Sequence, residues 1–467
     1  MEDHSVIVIG GGISGLATAW WLHKTGHNVI VLERDISVGG TMKTVPDNGW
    51  LIETGPNSAL ETTPLFKTLY ADLHLESELI YANEKSDNRY ILKNGSLLPL
   101  PMAPGKFLKS KLWSVNGKLR LLKEPFVGRA GKEETIAEFV TRRLGKEFLD
   151  YAINPFVAGV YAGNPEQLSV RAAFPKLYAL EEKYGGLIKG QIKGVRERKR
   201  RAEKAKDRSR LFSFVNGIQT LPDALSKALG AKIRTGVTVE TISMKPIDNH
   251  NGSFLYELSG KEKGNAVTFS APVVVMAIPA YHAAELLRPI TPTITESLSK
   301  IFYPPVAEVF LGFEENRIGI PLDGFGFLVP AKEQRKILGT IWSSAIFPNR
   351  APKGFAALTT FVGGSRQPEV LNADDKELTS IAVGELHSIM KITGEPSYVR
   401  VTRWRRAIPQ YHLGHLAIVE QIERFEAEHP GFFISGNFRG GIAVGDCVIN
   451  SEKISGRVLE YFTRRSQ

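Results

Sequence analysis

The chain opens with four consecutive apolar residues, Val6-Ile7-Val8-Ile9, which run straight into Gly10-Gly11-Gly12-Ile13-Ser14-Gly15. Past the glycines, Leu16, Ala17, Ala19, Trp20, Trp21 and Leu22 give an apolar, alanine-bearing stretch of helical character. A second apolar run, Val29-Ile30-Val31-Leu32, stops at Glu33. Short continuous apolar runs bounded by turn residues mark strands buried on both faces. The pattern predicts strand, glycine turn, helix, strand, acid.

Further along, Leu60, Leu65, Leu69, Leu73 and Leu75 predict a helix and connection over about 60–85. Asn94-Gly95 between Arg89-Tyr90-Ile91-Leu92 and Leu97-Leu98 predicts a hairpin, because both central residues of its tight turn need a positive φ. Residues 134–184 carry a helical pattern with turns from Gly159 to Pro165. Leu211–Phe214 and the alternation Ile233, Thr235, Val237, Val239 predict strands. Residues 253–260 and 266–270 predict an antiparallel pair, and Pro272–Ala280 a buried strand entering a turn. Apolar strands follow at Val306–Gly312, Phe325–Val329, Leu338–Ser344 and Ala357–Gly364. The chain closes on an apolar strand, Phe432–Ser435, then Gly436, Gly440-Gly441-Ile442-Ala443-Val444 and a helix.

The opening pattern has the chemistry of a dinucleotide site. Gly10 permits the tight turn, Gly12 lets backbone approach a pyrophosphate, and Gly15 lets the helix pack close on the strand. The helix start, with Gly11, Ile13 and Ser14, offers N–H groups and a partial positive charge. Glu33 accepts hydrogen bonds from a ribose diol. Beyond it, Arg34 leads to a second glycine pair, Gly39-Gly40, and Thr41, which extends the phosphate-binding surface. This stretch resembles the N-terminal signature of FAD-containing amine oxidases. In that superfamily the loop matching Gly55-Pro56-Asn57-Ser58 passes close to the flavin, a strand at the place of Val239 reaches the adenine, and FAD is the implied cofactor. The second glycine cluster, with Gly436, Ile442, Ala443 and Val444, offers another helix N-terminus to the flavin or its ribityl chain.

Composition narrows the class. The 467 residues are 43% hydrophobic and 23% charged, as in a soluble globular protein with two or three domains. No apolar run reaches the roughly 18 residues of a transmembrane helix. The start, Met1-Glu2-Asp3-His4, shows no signal peptide or Arg-rich transit segment, which predicts a cytoplasmic protein. One cysteine, Cys447, precludes an internal disulfide. His412 and His415 are read as loop or substrate-domain residues rather than a metal pair, and no metal is expected. The net charge of +10 favours anionic partners. With no nucleic-acid motif present, a carboxylate-rich ligand or a phospholipid surface ranks ahead of nucleic acid. Residues 106–126 interleave Lys106, Lys109, Lys111, Lys118 and Lys123 with Phe107, Leu108, Trp113, Leu119, Leu122 and Phe126. This suits either an interfacial segment on anionic lipid or an amphipathic cover over the core. A charge run, Arg196 to Arg201 with Lys204, Lys206, Arg208 and Arg210, follows. Arg89, on the first hairpin arm, is either a carboxylate fork or a solvated strand residue. No general base stands out.

Over nearly its whole length the chain resembles the FAD-dependent protoporphyrinogen oxidases and the related coproporphyrinogen oxidases. The resemblance rests on Asn154–Pro165 (NPFVAGVYAGNP), Leu168-Ser169, Ala173-Phe174-Pro175, Leu338–Pro352 (LGTIWSSAIFPNRAP), Phe361–Ser365, Pro409-Gln410-Tyr411 and Gly441–Asp446. The LGTIWSS and FPNRAP stretches look more like the plant and Gram-negative type than the Gram-positive coproporphyrinogen type. The resemblance implies an α/β (α+β) architecture. Its parts are a Rossmann-like FAD-binding domain from separated segments (1–85, 206–284, 406–467), a helical membrane-associating insert (86–205) and a mixed-sheet substrate domain (285–405). By position, Arg89 resembles the arginine that holds a substrate propionate, and Leu328, Ile341 and Phe361 resemble the residues that sandwich the macrocycle. Gly159 falls in a loop of the same pocket. The implied reaction is a six-electron oxidation of a porphyrinogen in three flavin cycles, with molecular oxygen as acceptor and hydrogen peroxide released. The alternatives are coproporphyrinogen oxidation by the same fold, a polyamine or carotenoid-type flavoprotein, and a non-catalytic FAD-binding scaffold at the membrane. A peripheral location at the inner membrane, if the source is bacterial, and a homodimer are compatible with the sequence.

Overall fold

The computed structural model describes residues 2–86, 88–101, 103–200, 209–247 and 254–465. Five parallel strands form its first layer, in the order Ile233–Thr235, Val29–Glu33, Val6–Ile9, Val273–Met276, Phe432–Ile434. They come from three distant stretches of chain, as the glycine clusters at both ends imply. Their continuous apolar character has a direct cause: both faces are covered. Val6, Val8, Val29, Val31, Val273 and Val275 pack under the helices Ile13–Lys24 and Val444–Arg465. Ile7, Ile9, Ile30, Leu32, Val274 and Met276 alternate to the other side, against Tyr256, Leu258 and Phe269 of a four-stranded sheet.

The second layer is a seven-stranded sheet, ordered Tyr398–Trp404, Val306–Glu314, Phe355–Gly363, Ile337–Ile341, Gly324–Leu328, Asn88–Lys93, Ser96–Pro99. Its pairs are antiparallel except Gly324–Leu328 with Asn88–Lys93, which run parallel. The hairpin turns at Asn94 (φ 50°) and Gly95 (φ 73°), the geometry its sequence predicts. Grouped with the helical insert on sequence grounds, this hairpin instead completes the substrate sheet. One face of the sheet is closed by the helix Asp375–Met390, onto which Ala307, Val309, Leu311 and Phe313 pack.

Helices fill Pro104–Arg200 around a buried ionic network. The Arg143 guanidinium, fully buried, meets Glu124 at 3.2 Å and also binds Glu181. Glu124 accepts the Leu187 and Ile188 N–H groups at 2.7 and 3.1 Å, capping the helix Leu187–Arg200. Trp113, in the stretch read as either an interfacial segment or an amphipathic cover over the core, is 5% exposed and stacks on Phe148 at 4.6 Å, so it belongs to the core. In the charge run, Arg201, Lys204, Lys206 and Arg208 lie outside the described residues, and of residues 196–200 only the helical backbone is described. Of the helix and connection expected over about 60–85, the helix spans Leu65–Leu73, and the connection carries the strand Leu79–Tyr81, which pairs with Leu211–Phe214. Among the described residues, no helix is long and apolar enough to cross a membrane.

Candidate active site

The glycine turn is shaped by close contacts. Gly10 has φ 106°, and a Cβ there would lie 2.5 Å from the Ala277 carbonyl oxygen. A Cβ on Gly15 would collide with the Gly10 carbonyl, which is why the helix can sit so near the strand. Gly12 faces open space, and as the cap residue it brings no side chain to the first-turn N–H groups of Ile13–Lys24. Those donors therefore need a partner from outside the helix, and a pyrophosphate fits that need. Glu33 is fixed beside the turn: it accepts the Gly11 N–H at 2.6 Å and the Asp35 N–H at 2.8 Å. Arg34 stays exposed, 3.4 Å from His282.

The second glycine pair folds onto the first. Gly39 donates to the Gly11 carbonyl at 2.8 Å, and a Cβ on Gly40 would stand 3.3 Å from the Gly12 Cα. Gly55 packs on the Thr41 carbonyl so closely that no Cβ fits, and Asn57 donates back to the Gly55 carbonyl at 3.3 Å. Pro56, Asn57 and Ser58 remain half-buried. Val239, at a bulge in the strand Val237–Pro246, packs with Ile30 and Leu32 of the Glu33 strand. From the far end of the chain, Gly436 follows the strand Phe432–Ile434, and Ile442 and Ala443 lead into the helix that begins at Val444. The two helices lie side by side. Cys447 is buried between them, and burial pushes its thiol up to about 11, with nearby Ser14 pulling the other way. The fingerprint thus gathers Gly10–Gly15, Glu33, Gly40, Thr41 and Gly55, with Val444 alongside, and the whole donor set fits FAD.

Directly paired residues in a sheet share a face. The register places Arg89, Gly326, Ile341 and Thr359 in one row, and Ile91, Leu328, Gly339, Phe361 and Glu308 in the next. All point away from the Asp375–Met390 helix. Leu328, Ile341 and Phe361 are half-buried, and Gly326 and Gly339 raise no side chain between them, which leaves a flat apolar floor. Arg89 is exposed at its end, 5.6 Å from the Phe325 ring. Gly159 faces this floor from above. It lies within the helix Asn154–Tyr161 rather than in the expected loop, and a Cβ there would come 2.5 Å from the Leu328 Cδ2. Phe156 and Val160 of that helix are exposed.

Several residues of the site have no role that the sequence assigns. Arg350, buried beside Glu53 at 3.1 Å, also reaches Ser213 at 2.7 Å, so it ties the substrate sheet to two segments of the nucleotide domain. Burial raises the Glu53 carboxyl to about 7, against the opposing pull of Arg350, Thr44 and the Ile218 N–H. Trp404 donates to the Thr54 carbonyl at 2.6 Å, holding the flavin-side loop against the sheet. Tyr411 accepts the Gly441 N–H at 3.0 Å and donates to the Asn437 carbonyl at 2.7 Å, which fixes the approach to the C-terminal helix. His415 stacks on Tyr411 and donates to the Phe438 carbonyl at 2.9 Å. Only the PQY and GIAVGD matches touch this last cluster.

Comparison with known proteins adds a family. The model for flavin-containing amine oxidoreductases matches residues 13–459. Protoporphyrinogen oxidase 2, chloroplastic/mitochondrial, of Arabidopsis thaliana is 35% identical, covering 98% of this chain and 94% of that protein. Coproporphyrinogen III oxidase of Bacillus subtilis (strain 168) is 31% identical, covering 98% of each. A crystal structure from Exiguobacterium sp. 255-15 shares the fold with a TM-score of 0.80 at 24% identity, covering 98% of this chain and 99% of that one.

Proposed function

Because this chain belongs to the flavin-containing amine oxidoreductases, and within them to the protoporphyrinogen and coproporphyrinogen oxidases, we propose that this FAD-dependent oxidoreductase converts protoporphyrinogen IX to protoporphyrin IX in haem biosynthesis. Molecular oxygen is the final acceptor in this reading. The observation that carries it is the apolar set Leu328, Ile341 and Phe361, half-buried on one face of the substrate sheet, with Gly159 packed on Leu328 and Arg89 exposed at the end of the Ile341 row. Such a floor suits a large planar ring with a carboxylate at one edge.

Bound FAD supplies hydride acceptance and reaction with oxygen. The chain's own task is orientation. The N–H groups at the start of Ile13–Lys24 and the Gly39-Gly40 turn hold the pyrophosphate, and Glu33 holds the adenosine ribose. Leu328, Ile341 and Phe361 clamp the macrocycle in one plane, excluding water from the reacting carbon. Arg89 grips a propionate as a bidentate fork and sets which meso carbon faces the cofactor.

The insert supports a peripheral lipid contact. Leu108, Val115, Leu119, Leu122 and Phe126 are exposed, Phe126 by 87%, in the same stretch as Lys106, Lys109, Lys118 and Lys123. Apolar side chains set among lysines suit an anionic membrane surface. Coproporphyrinogen III is the second reading, favoured by the Bacillus subtilis relative. Both porphyrinogens offered in parallel in a porphyrin-fluorescence assay separate the two. Faster turnover of protoporphyrinogen IX supports the first reading, and the reverse order supports the second. No fluorescence from either substrate ends both.

A further inference from the structure

Removing a hydride from a porphyrinogen leaves a proton to be placed. Each two-electron step takes a hydride from a meso CH2 and a proton from a pyrrole N–H. The apolar floor has nothing that accepts a proton, and the Arg89 guanidinium is permanently charged. Glu308 is different. It sits on the strand Val306–Glu314, paired with Phe361 and therefore on the same face. Its residue is 6% exposed, and its Oε2 is buried with no hydrogen-bond partner. A carboxyl oxygen left orphaned in an apolar setting is costly and rare, and calls for a partner.

The surroundings of this carboxyl are few. Trp404, two residues beyond Thr402 on the neighbouring edge strand, donates its indole N–H to the Thr54 carbonyl at 2.6 Å and lies close enough to Glu308 to favour its charged form. Thr402 and Phe361 flank it on the two paired strands, with Arg400 one pair further along. Glu53, with its partner Arg350, is the charged neighbour from the nucleotide domain. Burial pushes the Glu308 carboxyl well above the usual carboxylate range. The nearby Trp404 indole opposes this and Glu53 adds to it. Glu308 therefore lies between the Thr54–Ser58 loop on the flavin side and the Phe361 end of the floor.

We propose that Glu308 is the proton-accepting residue of the slot, its orphaned oxygen engaged by the pyrrole N–H groups of the bound macrocycle. The inference rests on the porphyrinogen reading above. Hydrogen bonds to the charged form favour it, so arrival of the N–H donors drives the proton off Glu308. A meso carbon then gives up its hydride, with the electron pair, to the flavin, and the macrocycle becomes cationic beside the carboxylate. The acidic pyrrole N–H proton passes to Glu308, and the N–H bonding pair stays on nitrogen. The macrocycle is neutral again and two electrons more oxidised. Glu308 is neutral again and returns its proton to solvent when the next N–H donors engage it. One hydride and one proton leave the substrate per step.

The test uses the flavin-loaded full chain and its Glu308→Gln and Glu308→Asp variants. Binding of protoporphyrin IX, which cannot be oxidised further, is followed with a pH-indicator dye in weak buffer. The wild type releases a proton and Glu308→Gln releases none, at a Kd changed less than about fivefold. Anaerobic bleaching of the flavin by protoporphyrinogen IX slows by about 100-fold or more in Glu308→Gln and recovers partly in Glu308→Asp. The flavin spectrum and its reoxidation by oxygen stay unchanged, which shows that fold and cofactor are intact. Wild-type bleaching or proton release in Glu308→Gln overturns the assignment alone. Failure of the wild type to bleach with either porphyrinogen overturns the reading beneath it as well.

Discussion

Arg89 and Arg350 show how differently one residue type is used in this chain. Arg89 is exposed at the end of an apolar floor, where a charged fork meets a carboxylate without being desolvated in advance. A hydrogen bond to a charged group is worth about 1.5–3 kcal/mol. Arg89→Ala is therefore expected to raise KM for the porphyrinogen by about 10- to 100-fold and to leave kcat within about threefold. An unchanged KM would remove it from the anchor role. Arg350 is buried against Glu53, and breaking such a pair leaves a lone charge inside. Arg350→Met is expected to cost about 3–5 kcal/mol in urea unfolding, while Glu53→Gln with Arg350→Met together costs less than the single change. A double variant no more stable than Arg350→Met would show that the carboxylate is not the source of the loss. In sequence the place of Arg89 on the arm of an Asn-Gly hairpin was legible, while its part as a carboxylate anchor is implied only by the family resemblance. Glu308 was not legible, because one acid in an apolar strand reads as an ordinary break in alternation. Its orphaned oxygen exists only once Phe361 and Trp404 are folded beside it.

Among the elements, the strand–turn–helix at residues 6–24 was readable because every contact that shapes it is local or with the next strand. The Asn154–Tyr161 helix was misread around Gly159, since glycine near a helix end looks like a turn. There it instead lets the helix approach Leu328. The strand Leu79–Tyr81 was hidden in the connection after the periodic leucines, because only its pairing with the distant Leu211–Phe214 defines it. The helix His415–Glu428 starts on a histidine that the fold keeps neutral. Burial lowers the His415 imidazole from 6.5 to about 4. Between those values the unfolded chain binds a proton that the folded chain does not. The neutral ring's contribution is therefore fully present above about pH 6.5 and is lost as pH falls towards 4, by up to about 3 kcal/mol. Urea unfolding at pH 7 and pH 4.5 checks this: His415→Gln is expected to lose less stability on acidification than the wild type. An equal loss in both proteins would place the acid sensitivity elsewhere.

At the scale of the whole molecule, the chain crosses between its layers repeatedly. The nucleotide sheet takes strands from residues 6–33, 233–276 and 432–434, and the substrate sheet from 88–99 and 306–404. Separated glycine clusters announced the first of these. The second was partly hidden, since the parallel pairing of Asn88–Lys93 with Gly324–Leu328 joins segments that the family resemblance assigns to different domains. The proposed lipid contact belongs to this scale as well. Leu122 and Phe126 are exposed in a stretch rich in lysine, on a molecule of net charge +10. Leu122→Ser with Phe126→Ser is expected to cut sedimentation with anionic phosphatidylserine vesicles by about tenfold, with oxidase activity in detergent retained. Equal sedimentation would assign this face another partner.

The central claim is that a porphyrinogen lies on the apolar floor and delivers its electrons to the flavin beside it. Its most direct test is the absorbance of the yellow, flavin-loaded protein mixed anaerobically with protoporphyrinogen IX. The account predicts that the flavin band bleaches in single turnover and returns when oxygen is admitted, as porphyrin fluorescence appears. A flavin band that stays at full height with this substrate and with coproporphyrinogen III alike would contradict it.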